Sequence, residues 1–290
     1  MLVGEIEEIL DENGFRYCEY SGCFDIAARK ESLMLFKVLT NVDSFQEEQA
    51  DNLKVLSKSL DARSFLVGLH TRRERLSDNI IYDRFDVPTV NPSTLEKILH
   101  GNMPSVYRFR GGLFVEIDPL KLRKAREETG LSQSQLAQNA GITKKSIYEH
   151  ESRKMGIVKE TAVKLEKILN TRIISPVNLE DYTTEEMAPK SIFENKVSRN
   201  FRRMGFDTGS VYQSPFNMIA SAKITLLSDV EENHKKAEKN ISYIENFSRL
   251  SKKSAIIVTK EEANFDIPTI REEDLAEMKS TDILKLIKKW

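Results

Sequence analysis

Between Leu122 and Glu151 the chain is punctuated so closely that few folds remain open to it. Leu122 and Ala125 share the inner face of a first helix that Gly130 ends. Ser132 stands where an N-cap is needed, with Gln135 three residues on. In that arrangement each side chain satisfies a backbone N–H of the other's turn. Leu136 and Ala137 form the buried face of this second helix, and Ala137 is small enough to let another helix approach. Gly141 takes a sharp turn, Ile142 plugs the core beneath it, and Thr143 caps a third helix anchored by Ile147. Ala162, Leu165, Ile168 and Leu169 close the bundle from a fourth helix. The pattern predicts helix throughout from Leu120 to Asn170.

Leu131-Ser132-Gln133, Leu136-Ala137, Ala140-Gly141-Ile142-Thr143, Ile147 and Glu151 together resemble the Cro/C1 family of phage-repressor-type helix-turn-helix domains. The resemblance covers residues 120–173. It implies a third helix in the DNA major groove, with Lys144, Lys145 and Glu149 at base edges. Lysine suits the acceptor edge of guanine and glutamate can accept from cytosine, so a half-site containing G·C is expected. Phosphates would be met by Gln133, Thr143, Ser146, Tyr148, Arg153 and Lys154. Glu151 is expected to hold the bundle together. The resemblance further implies a homodimer on double-stranded DNA. The competing structural reading is a bundle that has lost DNA binding and serves protein contacts. Gln133, Lys144, Lys145 and Arg153 speak against it.

Two flanking stretches read alike. Ile6 to Asn13 precedes Gly14-Phe15, and Phe193 to Met204 precedes Gly205-Phe206; each Gly is placed to end a helix. Strand-like runs follow, Cys23 to Ala28 and Pro215 to Ala220, then Leu33 to Leu39 and Ile224 to Leu227. Amphipathic helices come next, through Leu53, Leu56 and Leu60, and through Ile241, Ile244, Phe247 and Leu250. Short strands Ser64 to Gly68 and Ser254 to Val258 lead to nearly the same phrase, Phe85 to Val90 and Phe265 to Ile270. A last helix carries Leu95 and Ile98 in one copy, Leu275 and Met278 in the other. Shared order over this length reads as duplication of one α/β unit with a small mixed sheet.

That order resembles the restriction-endonuclease-like, PD-(D/E)XK-type fold, whose active members hold Mg²⁺ with an Asp and an acid-x-Lys. Asp25 and Lys37 match two of those positions, but the acid is replaced by Leu35. In the second copy Asn217 stands for the Asp. Both copies are therefore expected to be inactive, with no catalytic residues. Between the first copy and the helices lies a hairpin candidate, Val106 to Phe109 and Leu113 to Ile117, with Gly111-Gly112 supplying positive φ angles. Asp118-Pro119 caps the helix that follows. A nuclease-like domain, then this hairpin, then a Cro/C1 domain resembles the archaeal helix-turn-helix transcriptional regulators.

The expected class is thus α/β plus all-α: two related α/β domains flanking a helical DNA-binding domain of four to five helices. The expected boundaries are 1–104, a connecting hairpin at 105–118, 119–174, a linker at 175–190, and 191–290. The function expected is sequence-specific transcriptional regulation without enzyme activity. A helix-turn-helix-guided Mg²⁺ nuclease and an antitoxin-like adaptor are the rivals, and an effector or protein partner stays open.

With 40% hydrophobic and 31% charged residues and a net charge of −1, binding to a polyanion requires locally concentrated positive charge. No apolar run reaches bilayer length and residues 1–8 lack a signal-peptide pattern, so a cytoplasmic protein with no membrane partner is expected. No metal or cofactor is expected. Cys18 and Cys23 stand alone, the four histidines His70, His100, His150 and His234 lack metal spacing, and Gly111-Gly112 lacks a nucleotide-loop context. The run Glu231 to Lys239 reads as a solvated helix face. Ile283, Leu284, Ile287 and Trp290 read as a tail docked on the last domain or at a dimer contact.

Overall fold

In the computed structural model, which describes residues 1–179 and 187–288, Gly14 (φ 70°) and Gly205 (φ 88°) each follow a helix in the left-handed conformation. The middle of the expected linker and Trp290 lie outside the described residues. From the N-terminus the chain runs α1 (Leu2–Glu12), β1 (Arg16–Glu19), β2 (Ile26–Arg29), β3 (Leu33–Asn41), α2 (Glu47–Leu60), β4 (Ala62–His70), β5 (Ile80–Arg84), β6 (Val87–Val90) and α3 (Pro92–Leu99). The middle carries β7 (Val106–Phe109), β8 (Gly112–Ile117), α4 (Pro119–Glu128), α5 (Gln133–Ala140), α6 (Lys144–Ser152), β9 (Gly156–Val158), α7 (Lys159–Leu169) and β10 (Ile174–Ser175). Then come α8 (Ile192–Arg203), β11 (Asp207–Ser210), β12 (Met218–Ser221), β13 (Thr225–Glu231), α9 (His234–Ser251), β14 (Ser254–Thr259), β15 (Thr269–Arg271), α10 (Glu272–Glu277) and α11 (Ser280–Ile287).

Two compact units result, and they do not follow the order of the sequence. One unit contains residues 1–68, 84–87 and the described residues from 187 onward; the other contains 69–83 and 88–179. In the first unit, β1, β2 and β3 pair antiparallel, and so do β11, β12 and β13; β14 and β15 continue the second sheet in parallel. The registers match. Ile26 faces Phe36 as Met218 faces Ser228. Asp25 Oδ2 accepts from the Val38 backbone N–H at 2.7 Å, and Asn217 Oδ1 accepts from that of Val230 at 2.8 Å.

The N-terminal and C-terminal α/β segments meet inside this one unit. Tyr212 N–H donates to Asn52 Oδ1 on α2 (2.5 Å), and Cys23 N–H donates to the Gln213 carbonyl (2.6 Å). On the other side of the seam Tyr20 and Phe24 lie against Tyr243 and Phe247 of α9, at ring separations of 5.3 and 5.6 Å. Both cysteines are free thiols.

In the second unit the expectation of unbroken helix fails at Gly156–Val158, which forms β9. β9 pairs antiparallel with β8, placing Gly156 opposite Glu116 and Val158 opposite Phe114. Three consecutive residues ending in Ile-Val fit an extended strand better than a helix, and the open edge of β8 supplies the partner. The hairpin is consequently more than a connector. Val115 and Ile117 of β8 and Ile157 of β9 enter the same apolar cluster as Leu122, Leu136, Ile147, Leu165 and Leu169. Each such side chain contributes roughly 1.5–3 kcal/mol on burial. The hairpin turn also differs from expectation. Arg110 (φ 47°) and Gly111 (φ 83°) hold the positive angles, while Gly112 already belongs to β8.

Candidate nucleic-acid interface

Three caps set α4, α5 and α6. Asp118 Oδ1 accepts from the Leu120 and Lys121 N–H groups at 3.0 and 3.1 Å, opening α4 behind Pro119. Ser132 and Gln135 close a reciprocal capping box on α5, at 3.2 and 2.9 Å. Thr143 Oγ1 accepts from Ser146 N–H at 3.1 Å and starts α6. Between α5 and α6, Gly141 (φ 74°) makes a turn that a side chain would strain. Each cap typically stabilises its helix by about 1 kcal/mol.

An ionic clamp fixes α6 against the other two helices. Arg126 of α4 donates through Nε to Glu151 Oε1 (2.5 Å) and through Nη2 to Oε2 (3.0 Å). Gln133 Nε2 at the start of α5 donates to the same Oε2 at 2.8 Å, and Arg126 Nη1 reaches the Leu131 carbonyl at 3.0 Å. Glu151 thus joins all three helices, as a bidentate guanidinium–carboxylate pair allows. The hydrogen bonds it donates to Glu151 hold the Arg126 guanidinium above its usual pKa. Arg126 is a residue that sequence reasoning passed over. Its signal was an arginine on the first helix facing an acid at the end of the third.

The clamp leaves one face of α6 outward. Ile147 and His150 are buried, whereas Lys144, Lys145 and Tyr148 are exposed and Ser146 and Glu149 are half-buried. Arg153 and Lys154 follow, both exposed, and Thr143 stands exposed at the start of the same helix. Lys144, Lys145, Arg153 and Lys154 take part in no ion pair among the described residues, in contrast to Arg123, Lys124 and Arg126, which face Glu127, Glu128 and Glu151. From Asp118 to Arg172 there are twelve Lys and Arg against seven Asp and Glu. Two predicted phosphate contacts have side chains already engaged, Gln133 with Glu151 and Thr143 with the Ser146 N–H it caps.

In the first unit, Asp25 and Lys37 do come together. Lys37 Nζ donates to Asp25 Oδ1 at 2.9 Å and to the Gly22 carbonyl at 2.8 Å. With Oδ2 bound to Val38 N–H, both oxygens of the carboxylate are engaged. Leu35 is fully buried. A hard divalent cation needs several oxygen ligands, and this set offers one occupied carboxylate beside an ammonium. The residues do not fit a Mg²⁺ site. At the corresponding place on β13 stands Asp229, buried beside Ser228, where the first copy has Lys37. Burial pushes its carboxyl up to about 8, with nearby Glu231 adding to the effect and a hydrogen bond from Asn240 opposing it.

A capped, clamped helix-turn-helix together with a PD-(D/E)XK-type α/β architecture defines a helix-turn-helix DNA-binding protein with a nuclease-like domain. Comparison with protein families agrees in both places: residues 1–104 match the PD-(D/E)XK superfamily domain and residues 122–174 match the helix-turn-helix domain. The chain belongs to the archaeal family of HTH-type transcriptional regulatory proteins. A relative from Pyrococcus furiosus, named "Putative HTH-type transcriptional regulatory protein", is 35% identical over 78% of this chain and 76% of its own. Relatives of the same name from Pyrococcus horikoshii (33% identical, 99% and 96% covered) and Thermococcus kodakarensis (30% identical, 99% and 95% covered) match almost end to end. No solved structure matches. Among the described residues no helix is long and apolar enough to cross a membrane.

Proposed function

We propose that this protein is a sequence-specific DNA-binding regulator that reads the major groove with α6. Lys144, Lys145 and Glu149 face base edges. Thr143, Ser146, Tyr148, Arg153 and Lys154 face phosphates, joined by the first-turn backbone of α5 at Gln133. Because the Gln133 side chain serves Glu151, its part in phosphate binding falls to the N–H groups of that helix start. The observation that carries the reading is the contrast within one helix: Lys144 and Lys145 are exposed and have no ion-pair partner among the described residues, while Glu151 is locked to Arg126. Free cations on a pre-oriented surface bind a polyanion with little ordering cost.

The protein acts as a homodimer on paired half-sites about one helical turn apart. Its α/β segments serve as a scaffold, the C-terminal one being a degenerate second copy of the nuclease-like unit. The matched hydrogen bonds of Asp25 and Asn217 to the next strand support that kinship. DNA cleavage is not expected, since Leu35 and Asn217 remove the acids such chemistry requires. Incubating supercoiled plasmid with Mg²⁺ or Mn²⁺ should leave it intact; nicking lost in Asp25→Ala would instead establish an enzyme.

The deciding experiment is genome-fragment selection on purified protein at about 150 mM salt, alongside Lys144→Ala/Lys145→Ala. Enrichment of a palindromic site by the parent alone is the expected result. No enrichment by the parent, with a stoichiometric protein partner recovered in its place, would support the adaptor reading.

A further inference from the structure

We infer that the turn at 71–75 and the tip of the β7–β8 hairpin form a second, sequence-independent contact to the DNA backbone, beside the half-site read by α6. The inference rests on the DNA-binding reading above and extends it to residues which that reading leaves unused.

Both segments belong to the same compact unit as α6. Arg72, Arg73 and Arg75 sit on the turn; Arg108 and Arg110 sit at the hairpin end. One ion pair ties the two together, Arg108 Nη2 to Glu74 Oε1 at 2.9 Å. Glu74 is the single carboxylate within these two segments, against the guanidinium groups of Arg73, Arg75, Arg108 and Arg110. Arg72, Arg73, Arg75 and Arg110 are exposed.

The turn is built rather than loose. Thr71 Oγ1 accepts from Arg73 N–H at 3.1 Å and from Glu74 N–H at 3.0 Å. Thr71 N–H donates to the Glu74 carbonyl at 2.8 Å, and Leu76 N–H to the Leu69 carbonyl at 2.9 Å. At the hairpin tip Arg110 adopts φ 47°, a left-handed conformation that a side-chain-bearing residue rarely takes. Its guanidinium lies 5.0 Å from the centre of the Phe109 ring, and Phe109 is itself 48% exposed. A charged residue held in a strained turn on an exposed aromatic ring is a poor structural device and a good phosphate ligand.

β8 acts as a spacer between this patch and the reading head. From Gly112 at the tip to Glu116, where Gly156 pairs, it spans about 14 Å, and Gly156 follows Arg153 and Lys154 after one residue, Met155. That length is a little under half a turn of duplex, so the patch suits phosphates flanking the half-site.

The test uses the full chain and random-sequence duplexes of about 16 and about 36 base pairs, titrated by fluorescence anisotropy over a range of salt. The variants are Arg73→Ala/Arg75→Ala/Arg110→Ala and the charge-keeping Arg73→Lys/Arg75→Lys/Arg110→Lys. Because the hairpin turn is strained, Arg73→Ala/Arg75→Ala alone and Arg110→Gly, which favours the same φ, serve as folded controls. On the long duplex the triple Ala variant should bind at least about tenfold more weakly, with a salt slope shallower by about two to three, at about 0.9 per lost phosphate contact. The short duplex should show little change, and the lysine variant should keep most of the slope. Unchanged affinity and slope on the long duplex, with Lys144→Ala/Lys145→Ala still impaired, would overturn this proposal and leave the DNA-binding reading standing. No salt-dependent binding by the parent protein would overturn both.

Discussion

Arg126 grips Glu151 at two points, Nε to Oε1 at 2.5 Å and Nη2 to Oε2 at 3.0 Å, across 25 residues of sequence. The side chains are only 12% and 5% exposed, so the pair is shielded from water on most sides. Removing one member of such a pair leaves the other buried and unsatisfied. Glu151→Ala or Arg126→Ala should therefore lower the unfolding free energy by about 3 kcal/mol, read by urea denaturation, with loss of DNA binding following from loss of the α6 orientation. A variant as stable as the parent would show that the clamp is dispensable.

Gly156 opens β9 under the Tyr107 ring, and a Cβ there would overlap the Tyr107 hydroxyl. Gly156→Ala should cost about 1–3 kcal/mol through overpacking. Adding Tyr107→Phe should return part of that loss, since the hydroxyl is the first atom met. Melting of both variants checks this; strict additivity of the two substitutions would rule the contact out as the cause.

Asp229 is 2% exposed, and its Oδ2 has no hydrogen-bond partner among the described residues. Its carboxyl is raised from an ordinary value of 3.8 to about 8. Across that window the folded chain holds a proton that the unfolded chain has released, so stability falls as pH rises. Asp229→Asn removes this dependence. Its gain over the parent should be negligible below about pH 4, grow through neutral pH, and level off near pH 8 at about 6 kcal/mol. A gain that does not vary with pH would contradict the assignment.

His150 lies inside the helical domain at 3% exposure, and its Nδ1 lacks a partner among the described residues. Burial lowers its pKa, against the attraction of Glu149. The neutral ring is the folded form. Its contribution is therefore complete above about pH 6.5 and is lost as pH falls through the lowered folded value. The difference in melting temperature between parent and His150→Leu should change in favour of the variant as pH drops below about 6.5. A difference that stays constant between neutral and mildly acidic pH would count against a titrating His150.

Much of the reading head was legible in advance because its determinants are local. Ser132, Thr143 and Asp118 bond to backbone groups two or three residues away, and Gly141 answers to its own φ angle. The recurring order of α/β elements was legible, because similar order in two places needs no knowledge of what touches what. β1, β11 and β9 were not. They are three or four residues long, carry no clear alternation, and become strands through edge pairing with β2, β12 and β8.

By itself, then, the sequence determined the helix starts and stops of residues 118–152, the recurrence of one α/β order, and an apolar residue, Leu35, two places before Lys37. Tertiary structure alone decided that Arg126 and Gln133 converge on Glu151, and that the hairpin is a wall of the helical core. It also decided that Asp229 takes the buried place of Lys37, and that the two distant α/β segments share one compact unit. The physical reason is range. Caps and periodicity act over a few residues of covalent chain, whereas ion pairs, strand edges and desolvation depend on which segments meet in space.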